Sequence, residues 1–271
     1  MPNSQPLRIA LWVIGPAVAL FLIAPLLAIA PLSFNSSPYF TYPLEGLSTR
    51  WYEHFFGSLE WRRAVFNSFA VGISACVLAT VLGTAAAFGV SDERMPGRNL
   101  VMAFLLSPMI CPIIITAISV YFFYARVGLN SSFIGLVLAH ALLGSPFVLI
   151  TVNATLSNFD RRLPRAAASL GANGIVRFRR VTFPLIAPGV LAGGVLAFAI
   201  SFDEVVVALF IAGVEQRTLP RQMWVGINQE LNPTIAAAAV IMIIVSILLM
   251  VVVSMLRRFA SDTIPGGGNV E

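Results

Sequence analysis

An all-α protein threaded several times through a lipid bilayer is the fold class this sequence predicts, and three observations predict it. Of 271 residues, 58% are hydrophobic and only 11% are charged, whereas a soluble domain carries about 25% charged residues. The mean hydropathy is +0.88. The apolar residues gather into six runs, at 9–33, 64–90, 100–125, 132–156, 186–213 and 234–256. A helix needs roughly 20 such residues to cross the hydrocarbon core.

The first run contains Ala28-Ile29-Ala30, which imitates a secretory cleavage site. The run is longer than the 7–15 residues of a signal-peptide core, and Pro31 follows the mimic directly, so it reads as a retained helix. Residues 34–63 form a polar, aromatic loop. Its Tyr39, Tyr42, Trp51, Tyr52 and Trp61 suit either a packed external loop, the better-supported reading, or a membrane-interface belt. The organisation expected is a helix plus outer loop at 1–63, a transmembrane core at 64–258 and a Gly-rich, disordered tail at 259–271. Internal repeats are not apparent.

Orientation follows from the basic residues. All 17 are Arg. With the N-terminus inside, eleven fall in cytoplasmic segments and six in external ones, so both termini are expected in the cytoplasm. The imbalance comes mostly from the loop 157–185, which holds Arg161, Arg162, Arg165, Arg177, Arg179 and Arg180. A chain without Lys carries no ordinary P-loop, whose Lys grips the nucleotide phosphates. Cys76 and Cys111 lie in apolar runs without metal-ligand spacing and read as small buried hydrophobes. His140 lies inside a span, where a hydrogen bond to a neighbouring helix is a commoner role than metal ligation.

The loop 157–185 has a specific grammar. Pro164 suits the start of a short helix, Arg165-Ala166-Ala167-Ala168-Ser169-Leu170 has high helix propensity, and Gly171 permits a turn that a Cβ would resist. Pro184 and Pro188 mark the return to the membrane. Ala166 and Ala167 are followed by three residues, Gly171, nine residues, and then Val181-Thr182-Phe183-Pro184. This spacing resembles the cytoplasmic EAA loop of ABC-transporter permeases, the membrane subunits of binding-protein-dependent importers. Val181 and Phe183 replace the usual Ile and Leu, and Arg165 stands where that family has Glu. The resemblance covers roughly 64–258 and implies a MetI-like fold with six transmembrane helices. It implies that 163–175 is a coupling helix docked on a separate ATP-hydrolysing subunit. Arg161 and Arg162 are assigned mainly to the anionic lipid surface.

Two carboxylates, Asp203 and Glu204, interrupt the fifth run, where an acid near the bilayer centre costs roughly 2.5–3.5 kcal/mol. Successive residues of a helix point about 100° apart, so the two cannot share one direction. Asp203 then shares a face with Ala199, Val206, Val207 and Phe210, and Glu204 with Ala197, Ser201, Ala208 and Ile211. No Arg lies deep in any span, so each acid is protonated, solvated in a cavity, paired with another subunit, met by a cationic solute, or bonded to neighbouring helices for packing. The string Ser201-Phe202-Asp203-Glu204 before a Val-rich run, with Thr218-Leu219-Pro220 beyond, is similar to spermidine/putrescine-type permeases.

That likeness implies a cationic solute and a pathway at Ser201, Phe202, Asp203 and Glu204, with Asp203 ranked first. It implies a bacterial inner-membrane location and no catalytic or metal site. It implies no cofactor in this chain, with ATP and Mg on the partners. Those partners would be two ATPase subunits, a second and distinct permease chain, an extracytoplasmic solute-binding protein and the lipid bilayer, but no nucleic acid. The rival readings are an importer of an opine, an aminophosphonate, thiamine or ferric iron, an ion-coupled secondary transporter, and a purely structural membrane protein.

Overall fold

The computed structural model describes residues 5–92, 94–157, 159–160, 162–229 and 231–262. Arg161 and residues 263–271, the greater part of the expected tail, lie outside the described residues. All named elements among the described residues are helical. They are α1 (Gln5–Leu32), α2 (Arg50–Gly57), α3 (Leu59–Val90), α4 (Arg98–Ile110), α5 (Ile113–Val127), α6 (Phe133–Ser157), α7 (Arg162–Ser169), α8 (Gly174–Arg177), α9 (Phe183–Asp203), α10 (Val206–Ile211), α11 (Leu219–Gln229) and α12 (Thr234–Asp262). A π-helical turn, Phe178–Thr182, joins α8 to α9. Five stretches are long and apolar enough to cross a membrane, and α4 with α5 makes a sixth if the two count as one span.

That pair corrects the sequence reading. One helix was expected over 100–125; two are found, bent by 101°. Pro112 supplies the reason. Cys111, the residue before it, takes an extended backbone with ψ 133°, because the proline ring disfavours the helical region for its predecessor.

The chain divides into two compact units, residues 1–62 with 223–244 and residues 63–222 with 245–271. The first holds the outer loop. There Trp51 Nε1 donates to the Asn35 carbonyl at 2.7 Å and the Ser33 and Tyr52 hydroxyls meet at 2.8 Å. Phe55 packs against Trp61 with ring centroids 5.3 Å apart. Trp51, Tyr52 and Trp61 are thus fastened into a packed loop, while Tyr39 and Tyr42 stay largely exposed.

The second unit is organised on α6 and α9. Many α6 residues from Gly135 to Leu156 are buried, as are Ile186, Val190, Ala197 and Phe198 of α9. The helices meet through small residues. A Cβ on Gly144 would sit 2.9 Å from that of Ala197, and one on Gly193 would sit 2.8 Å from the Val148 Cα. Lipid supplies no hydrophobic drive between membrane helices, so close backbone approach of this kind is what holds them. The segment 213–219 is tied to α3. Asn67 Nδ2 donates to the carbonyls of Glu215 (2.7 Å) and Arg217 (3.0 Å), and the Leu219 amide donates to Ser68 Oγ at 2.7 Å.

Candidate functional site

Two groups of side chains in the second unit carry the polar chemistry. The first is the loop through α7, α8 and the π turn, in which Thr182 alone is buried. α7 ends as its sequence dictates. Gly171 has φ +84°, the Gly171 amide donates to the Ala168 carbonyl at 3.0 Å, and the Ala172 amide reaches back to Ala167 at 3.1 Å. These are the two bonds of a Schellman ending, which needs a residue at ease in the left-handed region. A Cβ at Gly171 would touch nothing within 4 Å, so the requirement is conformational rather than steric.

The helix then restarts at α8, where Asn173 caps the first turn by accepting from the Val176 amide at 2.9 Å. The π turn follows, with the Phe183 amide bonding back five residues to the Phe178 carbonyl. Pro184, which has no N–H and whose ring crowds the carbonyl four residues earlier, comes directly after. A wider turn there relieves that crowding.

The seven residues expected to couple to an ATPase fall in different environments. Arg165, Ala166 and Gly171 are exposed; Ala167 and Val181 are partly covered by their own chain; Phe183 and Pro184 are exposed where α9 begins. Leu163, Leu170 and Ile175, which the sequence reading did not single out, are apolar and exposed, Leu170 to 89%.

The second group surrounds the two acids, and the structure overturns the expectation of one helix across 186–213. α9 stops at Asp203, Glu204 has an extended backbone with ψ 117°, and α10 begins at Val206. The reason lies in the side chain of Glu204. Its carboxylate accepts from the Val207 amide at 2.9 Å, satisfying one of the donors that the first turn of α10 leaves without a partner. Three successive valines, 205–207, favour the interruption, since β-branched residues lose rotamer freedom in a helix.

The four expected pathway residues separate accordingly. Glu204 is buried, only 8% exposed, and is committed to its own backbone. Ser201 is buried and its hydroxyl meets His140 Nδ1 at 2.8 Å, which gives His140 the helix-to-helix role expected of it. Phe202 is buried, stacked on Phe198 with centroids 5.6 Å apart and packed on Phe69 at 5.2 Å. Asp203 is exposed.

The spermidine/putrescine transport system permease protein PotC of Haemophilus influenzae is 32% identical over 217 residues, covering 80% of this chain and 84% of that one. The putrescine transport system permease protein PotI of Escherichia coli is 31% identical over 240 residues, covering 86% and 84%. The fold matches the crystal structure of a bacterial ABC transporter involved in the import of the acidic polysaccharide alginate, with a TM-score of 0.74, 17% identity and coverage of 94% of this chain and 98% of that one. Residues 79–262 match the family described as binding-protein-dependent transport system inner membrane component. The chain belongs to that family, as a multi-pass inner-membrane transport component.

Proposed function

We propose that this chain lines the translocation pathway of an ATP-driven importer for a small polycation of the polyamine class. Asp203 carries the substrate class: it is an exposed carboxylate at the broken end of α9. A carboxylate there offsets part of the cost of stripping water from an ammonium. Glu204, Ser201 and Phe202 serve that position indirectly. Glu204 fixes the break, Ser201 ties it to His140, and Phe202 anchors the last turn of α9. The solutes for which PotC and PotI are named support the same class.

The chain performs no hydrolysis in this reading. Two separate ATPase subunits, with ATP and Mg, would move it through the loop 163–175, beside a second, distinct permease chain. A loaded solute-binding protein would dock on outer loops 34–63 and 214–233. Both termini would be cytoplasmic. Nucleotide would bias the assembly between inward- and outward-facing states.

The test is uptake of labelled spermidine and putrescine by proteoliposomes holding the full assembly. The expected result is uptake that requires ATP and the binding protein and survives collapse of the proton gradient. Uptake that needs only the gradient would replace this reading with a secondary transporter. ATP-driven uptake of thiamine, an opine, an aminophosphonate or ferric iron instead would keep the importer and discard the polyamine.

A further inference from the structure

We infer that His140 is a positioning residue for Asp203: carrying its proton on Nδ1, it donates to the Ser201 carbonyl and completes the backbone where α9 gives out. The inference rests on the reading that Asp203 meets the solute.

The need arises at the break. In a continuing helix the Ser201 carbonyl would accept from the amide four residues on, that of Val205. Glu204 is extended, with ψ 117°, which carries Val205 away from that position. Ser201 is buried, only 4% exposed, and a buried carbonyl left without a donor is unfavourable. His140 of α6 reaches it from the neighbouring helix. Its Nδ1 lies 3.2 Å from the Ser201 carbonyl oxygen and 2.8 Å from the Ser201 hydroxyl. One turn along both helices, a Cβ on Gly144 would stand 2.9 Å from that of Ala197. That close approach holds the imidazole within bonding range.

The carbonyl decides the tautomer. A carbonyl oxygen only accepts, so a bare Nδ1 would set two lone pairs against each other. A proton on Nδ1 is instead shared between the carbonyl and the hydroxyl. The other tautomer would also bury an N–H at Nε2, a buried atom without a partner among the described residues, and orphaned buried N–H groups are rare. Asp203 follows Ser201 by two residues, at the end of α9. Whatever fixes the Ser201 carbonyl therefore fixes the backbone from which that carboxylate projects.

The experiment uses the full assembly, with 15N-histidine in this chain alone. The signal of His140, identified by its loss in His140→Asn, should show a protonated Nδ1 and a bare Nε2. A bare Nδ1, or two protonated nitrogens, would overturn the inference. Two amide side chains then separate the ring nitrogens, since the asparagine nitrogen falls near Nδ1 and the glutamine nitrogen near Nε2. His140→Asn should keep ATP-driven polyamine uptake per folded assembly within about threefold of the parent, while His140→Gln and His140→Leu should lose at least about tenfold, the loss expected for one buried carbonyl left unpaired. A plain filling role predicts the reverse order, because glutamine and leucine replace more of the ring than asparagine does, and that order would sink the inference. In an Asp203→Asn background His140→Leu should add less than about twofold, since the two act through one group. A full further loss there would show that His140 acts elsewhere and overturn its positioning role. If Asp203→Asn alone leaves uptake unchanged, the pathway reading fails and the role for Asp203 with it, while a protonated Nδ1 would still assign His140 to the α9 backbone.

Discussion

The loop 162–182 and the break at 201–207 are both polar interruptions of an apolar chain, and they direct their polar atoms oppositely. In the loop the backbone is completed locally, by the Schellman ending at Gly171 and the Asn173 cap, and most side chains are left exposed. At the break the most conspicuous polar side chain, Glu204, turns inward to complete the backbone, and Asp203 alone remains outside. The difference teaches that an intramembrane acid is not by that fact a pathway acid. Two adjacent carboxylates can part company, one committed to its own backbone and the other left exposed.

Glu204 offers the sharpest way to break this comparison. Glu204→Leu frees the buried Val207 amide, which costs about 1–3 kcal/mol for a buried donor left unpaired. The expected outcome is a lower melting temperature in detergent and reduced recovery of folded protein. Glu204→Gln keeps an oxygen that accepts from Val207 and should restore most of that stability. If the glutamine variant folds normally yet loses uptake to the same extent as Asp203→Asn, the division of labour is wrong and Glu204 also meets the solute.

Asp203→Asn comes next in size. Its expected effect is at least about a tenfold loss of polyamine uptake, equivalent to roughly 1.4 kcal/mol, with melting unchanged because the side chain is exposed. Parallel loss of uptake and folded protein would return Asp203 to a packing role.

The same contrast explains what the sequence made legible. Everything that shapes α7 lies close in sequence, from Asp160, which accepts from the Arg162 amide, to Gly171, which ends the helix, so the short helix could be read directly. The bend at Pro112 was also written locally, but an unbroken run of apolar side chains concealed it. The break at Glu204 was harder, because a glutamate beside three valines in an apolar run looks the same whether its carboxylate faces a pore or its own backbone. The partners of Ser201 and Asn67 could not be read at all. His140 lies 61 residues from Ser201, and Glu215 lies 148 residues from Asn67. Such pairings exist only once α6 meets α9 and α3 meets the 213–219 segment.

On the loop side, Gly171→Val tests whether backbone completion matters for coupling. A Cβ there meets open space, so the penalty is purely that of holding a β-branched residue at φ +84°, about 1–2 kcal/mol. The cost falls on the end of α7, and ATP-driven uptake should drop several-fold while the melting of the membrane helices is unchanged. Gly171→Asn should retain more activity, since asparagine visits the left-handed region. Equal uptake in all three forms would show that the geometry of the α7 ending plays no part in transmission.

The smallest effect is expected from Asn173→Ala. It removes the side-chain acceptor for the Val176 amide at the start of α8, a loss of about 0.5–2 kcal/mol. That amide is exposed, so water replaces the lost acceptor and the penalty belongs at the low end of the range. The consequence should be local: faster amide exchange at 174–177 with exchange in α9 unaltered, and uptake within about twofold of the parent. α8 runs into α9 through the π turn, which makes this the most discriminating measurement of how the loop connects to the membrane. If exchange also accelerates at Ser201 through Glu204, the loop and the break belong to one cooperative helix, and an event at α7 could reach Asp203 directly. If it stops at the π turn, the widened turn before Pro184 insulates the two regions, and motion must reach the acids by displacement of α9 as a rigid rod.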